Sequence, residues 1–482
     1  LFHTLYAPES GVYFEQLHFC IEGDMKPEVF RQAWQHLIDR HAILRTAFLH
    51  EGDKPLQLVC SKVQVPWEYF DWHELSPEEQ QEQLETLLHN EREQGFKLSR
   101  APLMRMHLIR ETESRHRFVW NLHHLLMDGW CLSILFTELL DTYHAYAQGQ
   151  TPVLPPVRPY RDYITWLSKQ DQKDAKRYWQ EQLQGFITPT PLPIGQYSHS
   201  QARYREVSIT LDSHLSQQLD KFSREHRLTL STLVQGAWAA LLMRYSGESD
   251  VVFGVTTSGR NVPIWGVDRM VGLFINTMPL RIKEEGEDLI AWLQAIQECQ
   301  QQNNPYAYTS LVDIQDWSDV PNGVALFESL IVFENYPMDE KLRQPGVQSL
   351  KITDFQVIEY TNYPLTLAVI PEQQLHFKLT YDSNRFSEES MDRMVAHVSN
   401  LLEGIVTNPG YAISQLPLLT ETETQLLQAW NETEVEYLTD KTIVDLFQEQ
   451  VEKTPDNIAV VFEGRKFTYQ ELNGRAYQLA HY

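Results

Sequence analysis

Two α/β lobes are what this sequence predicts, and three observations lead there. The chain has 482 residues, more than one ordinary hydrophobic core organises, so at least two lobes are expected. Strand-like and helix-like segments mix in both halves instead of separating into an all-helical and an all-strand part. The stretch His123-His124-Leu125-Leu126-Met127-Asp128-Gly129 reads as a hinge from strand to helix, with ionisable side chains at the turn.

The elements follow in order. Residues 27 to 45 put Phe30, Ala33, Trp34, Leu37 and Ile38 on one stripe, an amphipathic helix. Strand-like runs cover Met104 to Ile109 and Arg117 to His123; in the second, Phe118, Trp120 and Leu122 alternate with Val119 and Asn121. Asp128-Gly129 is a turn signal, and Trp130, Ile134, Leu135 and Leu139 give helical spacing from Trp130 to Tyr143. Pro152, Pro155, Pro156 and Pro159 make Thr151 to Pro159 an extended connector. After a polar loop near Gln196 to Ala202 come a strand at Val207 to Leu211, a helix at Ser231 to Tyr245 and a strand at Val251 to Val255. Strands at Phe327 to Phe333 and Leu375 to Tyr381 precede a helix from Ser387 to about Ile405. From Leu416 the chain turns acidic and Thr-rich, then shows a helix at Ile443 to Val451 and a strand at Ile458 to Phe462.

Hydrophobic residues make up 42% and charged residues 22%, the balance of a soluble globular protein. No run of ~20 apolar residues is present to cross a membrane, and the first residues lack a signal-peptide pattern. Cys20, Cys60, Cys131 and Cys299 are scattered, so neither a zinc site nor a disulfide framework is expected; they read as reduced thiols of a cytoplasmic protein. A net charge of -25 argues against nucleic acid, whose binding needs clustered Lys and Arg. Docking to an acidic partner would rest on local apolar and basic patches.

If the strand stays extended into the hinge, His123 and His124 point to opposite faces, so one can enter a site while the other stays in the fold. Imidazole accepts a proton near neutrality, although a strand-ending histidine is by itself more often structural. His-His-x-x-x-Asp offers metal-ligand types, but adjacent strand histidines diverge and no third ligand set is visible, so no metal is expected.

Five motifs in order give a resemblance. His-His-x-x-x-Asp-Gly at 123–129 is joined by Arg40-His41-Ala42-Ile43-Leu44-Arg45-Thr46-Ala47-Phe48 and by Tyr160-Arg161-Asp162-Tyr163 with Trp166. Val271-Gly272-Leu273-Phe274-Ile275-Asn276-Thr277 with Arg281, and Phe333-Glu334-Asn335-Tyr336-Pro337, complete the set. Together they resemble the condensation domains of nonribosomal peptide synthetases, in the chloramphenicol acetyltransferase superfamily, over residues 1 to about 420. The Ser/Gln-containing segment with which the family begins is missing before Leu1-Phe2-His3, which suggests a trimmed amino terminus. Phe467-Thr468-Tyr469-Gln470-Glu471-Leu472 resembles the first motif of an adenylation domain.

The resemblance implies an α/β fold of two chloramphenicol acetyltransferase-like lobes in a V, with an active-site channel between them and open at both ends. It implies lobes at 1–170 and 171–415, a linker at 416–440, and a truncated adenylation start at 441–482 that should adenylate nothing. The activity implied is amide formation between a donor thioester and the α-amine of an acceptor, both carried on 4'-phosphopantetheine arms. No Gly-Gly pair of a carrier motif occurs in the chain, so the arms are expected on donor and acceptor carrier domains, with no cofactor covalently bound here. The partners implied are those two carriers and the adjoining adenylation domain, with no nucleic acid and no membrane.

By the same resemblance His124 is the catalytic histidine, binding or removing the amine proton, and His123 is structural. Asp128 is expected to pair with Arg40 or Arg45, since a carboxylate beside a buried tunnel needs a partner. Gly129 suits a tight junction where its amide could donate to an oxyanion. Asn276 and Phe333 to Pro337 read as packing and loop elements, and Tyr160, Tyr163 and Trp166 as core or lobe-joining aromatics. Epimerisation and a stand-alone thioester acyltransferase are the alternatives. Heterocyclisation replaces the leading histidine with Asp, and a noncatalytic docking module would have lost the second. Asp128-Gly129-Trp130-Cys131-Leu132 looks like the branch joining an L-donor to an L-acceptor.

Overall fold

A computed structural model describes residues 13–50, 55–192, 203–284, 286, 288–334, 350–359, 361–434 and 440–482. The chain divides into two compact units, Leu1–Leu419 and Thr420–Tyr482.

In the first unit the leading strands are β1 (Phe14–Gly23), β2 (Thr46–Leu49), β3 (Leu56–Val59), β4 (Trp67–Asp71), β5 (Met104–Arg110) and β6 (Arg115–His123). Leu17, Phe19 and Ile21 of β1 alternate with Gln16, His18 and Cys20, and both sets are buried, so β1 is a central strand covered on both faces. On one face Leu17, Phe19 and Ile21 share a core with Phe30 and Trp34 of the helix Pro27–Arg40 and with Leu135 and Phe136 of the helix Trp130–Ala147. On the other, Leu84 and Leu88 of the helix Pro77–Gln94 pack on Ile109 and Val119. The amphipathic reading of residues 27 to 45 holds to Arg40; a 3-10 turn, Ala42–Arg45, then leads into β2.

The second half adds β7 (Tyr204–Thr210), β8 (Asp250–Thr257), β9 (Asn276–Lys283), β10 (Ser329–Phe333), β11 (Leu350–Ile358), β12 (Leu365–Pro371) and β13 (Leu375–Asp382). Six of these form one sheet in the order β7-β13-β12-β10-β8-β9. The helices Leu230–Ser246 and Glu388–Thr407 bury their apolar faces against it, through Trp238, Leu241, Val398 and Leu401 on Phe253, Leu367 and Leu379. Strand β11 goes elsewhere. It pairs antiparallel with β1, giving the first sheet the order β11-β1-β6-β5-β4. The expected division at 170/171 is therefore not clean, because a strand from the later segment completes the sheet of the earlier one. The reason is local: Phe355 stacks on Phe19 (centroids 5.8 Å apart) and Leu350 joins that lobe's core.

The expected linker at 416–440 also starts too early. Leu416 is buried in the second lobe's core and Leu418 packs beside it, while Glu421–Asn431 is a helix with a Thr420/Glu423 capping box. The second unit continues with the helix Ile443–Lys453, a hairpin of β14 (Ile458–Phe462) and β15 (Arg465–Thr468), and the helix Tyr469–Ala480. None of its described residues is buried. Among the described residues no helix is long and apolar enough to cross a membrane. The polar loop at 196–202 lies outside the described residues.

Candidate active site

The site forms where β1, β6 and β11 end side by side. His123 closes β6, opposite Phe14 on β1, and the amide of His124 donates to the Tyr13 carbonyl (2.9 Å). The extended backbone turns the two imidazoles apart. His123 Nδ1 accepts from the Leu125 amide (3.1 Å), and its ring lies edge-on to Phe96. Burial, helped by the charge on His124, lowers its pKa to about 3, so His123 is a neutral part of the fold.

His124 faces the space between the lobes. Its Nδ1 lies 2.8 Å from the Met127 carbonyl, which can only accept, so Nδ1 carries a proton and Nε2 is presented to the cavity. Glu15 Oε1 stands 3.2 Å from Nδ1, and Glu359 Oε1 stands 3.3 Å from Nε2. Burial alone would lower the His124 pKa, but the charges of Glu15 and Glu359 and the Glu359 contact raise it well above the ordinary value. The two carboxylates part company. Burial drives Glu15 up to about 8, whereas the bond to His124 outweighs burial at Glu359 and holds its carboxyl below the ordinary range. Burial therefore favours the neutral acid at Glu15, while the contact with His124 favours the charged form at Glu359.

Register explains the pairing. Gln16 faces Ile358 and Leu17 faces Val357, so Glu15 and Glu359 come opposite one another one step beyond the last paired residues. Two ionised carboxylates directly opposite across a ladder repel, which adds to burial in keeping a proton on Glu15. Glu15, His124 and Glu359 each bring one ligand-type atom within 4.8 Å of the others. The expectation of no metal thus loses its sequence argument, since carboxylates from two other strands join the histidine.

Asp128 is corrected. It pairs with neither Arg40 nor Arg45 but with Arg260 of the second lobe, whose Nη2 donates to Oδ1 at 3.0 Å. The Phe274 and Ile275 amides donate to Oδ2 at 2.8 and 3.2 Å. Arg260 also donates to the Val267 and Met270 carbonyls and lies over the Phe274 ring. Two glycines let the 259–275 loop come so close. At Gly259 (φ +63°) a Cβ would collide with the Phe274 carbonyl, and at Gly272 with the Tyr160 ring. Tyr160 and Tyr163 pack on Phe274, the lobe-joining role expected of them.

The two rejected arginines hold other contacts. Arg40 Nε and His41 Nε2 both bind Glu138, at 3.0 and 2.7 Å, tying the helix Pro27–Arg40 to Trp130–Ala147. Arg45 donates to the Cys60 carbonyl and braces β3. Gly129 caps the latter helix in ordinary right-handed geometry (φ -57°) and lines the cavities described next. Asn276 donates to the Ala307 and Thr309 carbonyls, a loop-holding role, and also lines one cavity. Of Phe333 to Pro337, the residues 335–337 lie outside the described ones; Glu334 faces the larger cavity, and burial with the nearby Glu359 pushes it up to about 7.

Two cavities meet here. One, of about 250 Å³, is lined by Tyr13, His124, Leu125, Asn276 and Tyr363. The other, of about 760 Å³, runs between β1/β11 and β10/β12/β13 past Glu15, Val357, Glu334 and Lys378. Gly129, Val332, Glu359 and Thr361 line both, so the two are halves of one inter-lobe space; His124 lines the smaller half and reaches the junction through its contact with Glu359. Glu15 and Glu359 are the site residues that sequence reasoning missed. A signal existed: Glu15-x-Leu17-x-Phe19 and Phe355-x-Val357-x-Glu359 are period-two apolar stripes, each with a carboxylate at one end, buried in the first and half-exposed in the second.

Facing α/β lobes with a histidine presented into the space between them define an acyltransferase of the two-lobed kind. More narrowly, the chain belongs to the condensation-domain family, whose sequence model matches residues 1–428. Linear gramicidin synthase subunits C and B from Brevibacillus parabrevis are 42% and 43% identical over 488 residues, covering 100% of this chain but 6% and 9% of their own length. Chondramide synthase from Chondromyces crocatus is 38% identical over 97% of the chain and 12% of its own length. The chain thus spans a small part of each of these curated relatives. Among solved structures, the starter condensation domain of rhizomide synthetase matches with a TM-score of 0.73 at 19% identity, over 87% of this chain and 95% of that one. A four-domain nonribosomal peptide synthetase matches with a TM-score of 0.75 at 17% identity, over 98% and 37%.

Proposed function

We propose that this chain joins a donor aminoacyl or peptidyl thioester to the α-amine of an acceptor aminoacyl thioester. Each is carried on the 4'-phosphopantetheine arm of a separate carrier domain, and one arm enters from each half of the inter-lobe space. The observation that carries this reading is that two differently lined cavities meet at Glu359, in contact with His124, since two tethered substrates need two approaches to one reactive point. A thioester is already activated, so the site has to align the amine, manage its protons and stabilise the oxyanion. His124 Nε2 is the amine's nearest proton acceptor. Gly129, at the start of the helix Trp130–Ala147, offers a backbone donor and the positive end of the helix to the developing oxyanion.

The L-donor to L-acceptor type rests on the 128–132 motif alone. An adjoining adenylation domain is supported by relatives that match through residue 482, including the motif at 467–472. The test is intact-protein mass spectrometry of two loaded carriers mixed with the chain. Donor acyl mass should appear on the acceptor carrier with the native chain and not with His124→Ala. Pantetheine analogues offered from each side should bind together; competition for one entrance would refute the two-carrier reading.

A further inference from the structure

Forming an amide from an α-ammonium removes two protons from one nitrogen, and His124 has one lone pair to give. The Met127 carbonyl fixes Nδ1 as a donor, so only Nε2 can accept. A second acceptor must lie within reach of the same nitrogen. Building on the condensation reading, we infer that Glu359 is a catalytic residue: it receives the acceptor's α-ammonium and takes its first proton, leaving the second to His124.

Three features of the geometry converge on Glu359. Its carboxylate sits 3.3 Å from Nε2, so a nitrogen between the lobes can touch both groups at once. Its side chain is 39% exposed where that of Glu15 is 8% exposed, and it lines both cavities, so an incoming amine reaches it whichever half it uses. It also stands opposite Glu15 in the ladder, with His124 between them, so an ammonium reaching Glu359 meets all three polar groups together. The charged and titratable groups around Glu359 are His124 after β6, Glu15 and Tyr13 at β1, Glu334 after β10 and Lys378 on β13. Glu334 lines the larger cavity and adds attraction for a cation moving toward the junction.

The steps balance. The entering ammonium replaces the imidazolium proton as the counter-cation of Glu359, and that proton leaves to solvent, freeing Nε2. Glu359 takes one N–H proton and becomes the neutral acid. The amine lone pair attacks the thioester carbon, the C–N bond forms, and Nε2 takes the second N–H proton. As the C–S bond breaks, imidazolium returns that proton to the departing thiolate. The products are amide, thiol and one proton on Glu359, which passes to Nε2 and restores the imidazolium, so that the one proton released overall is the one given to solvent at the start.

The test uses the full 482-residue chain, a loaded donor carrier, and two acceptors. One is the aminoacyl-pantetheine that the native chain accepts best; the other is its α-aminooxy analogue, weakly basic and already neutral at pH 7. Glu359→Gln should slow the amine acceptor on the order of 100-fold or more at pH 7, within the usual range for a lost proton acceptor, and slow the aminooxy acceptor by less than ~10-fold. The deficit with the amine should shrink once pH passes the amine's own value, about 7.7–8.0 for an α-amine. Both acceptors are compared on one variant, so a folding loss slows both and cannot imitate this pattern. Equal slowing of the two, no slowing of either, or activity abolished by chelation of divalent metal would each overturn the assignment of Glu359. If the native chain makes no product from either acceptor, the condensation reading itself falls.

Discussion

Asp128 and Glu359 are both carboxylates facing a cation at the lobe junction, and they are built in opposite ways. Asp128 is 3% exposed and has every lone pair answered, by Arg260, by the Phe274 and Ile275 amides and by the Cys131 thiol. Its partner is a guanidinium, which does not give up its proton in a protein. Glu359 faces an imidazole, which does, across a ladder from a second carboxylate, and opens onto both cavities. One cluster is closed and holds the lobes together. The other leaves its carboxylate open to both cavities, within reach of an incoming amine on the reading proposed above.

This contrast can be broken or sharpened by substitution. The largest effect belongs to His124→Ala, which should cut transfer between loaded carriers by roughly 10³-fold or more, at the upper end for a lost acid–base group, with thermal unfolding little changed. Transfer at the native rate in a folded variant would erase the distinction. Asp128→Ala should do the converse and lower stability by about 3–5 kcal/mol by stranding buried Arg260. The measurement is calorimetric unfolding, and a native melting profile with lost activity would move Asp128 into the chemistry. Arg40→Ala should cost only about 1.5 kcal/mol and leave transfer in place, because Glu138 keeps its bond to His41. A loss as large as that of Asp128→Ala would mean Arg40 supports the motif after all.

The smallest effect is in the pH dependence of stability. Folded Glu15 keeps a proton up to about 8 that the unfolded chain releases near 4.5, and folded His124 likewise holds a proton longer than unfolded histidine. The native state therefore binds more protons, and these groups' contribution to stability falls as pH rises from about 4.5 toward 8. Glu359, shifted downward, adds stability that is lost only as pH falls below the ordinary carboxylate range. Glu15→Gln should flatten the decline of melting temperature between pH 5 and pH 8. An undiminished slope would place the proton on another group.

The sequence made the motif and many of the elements legible, because period-two and helical stripes with turn residues between them are local signals. His123 and His124 diverge as extended backbone requires. The partner of Asp128 was not legible, since Arg260 lies 132 residues away in the other lobe and many arginines compete on paper. Neither was the carboxylate pair. Glu15 and Glu359 meet only because β11 leaves its own segment to pair with β1, and long-range register is not written in local periodicity. What the stripes could have yielded is the oddity of a carboxylate where each apolar alternation calls for an apolar residue.

Strand β11 has one more consequence. β10 and β12 lie side by side and parallel in the second sheet, yet the chain between them detours to pair with β1 in the first. Together with the 259–275 loop clasped by Asp128, it gives the space around His124 a covalent strap on more than one side. On the proposed function, a tethered substrate is then threaded lengthwise instead of being laid in sideways, and the bulk of an acyl chain meets its limit in the bore of the passage rather than at the histidine.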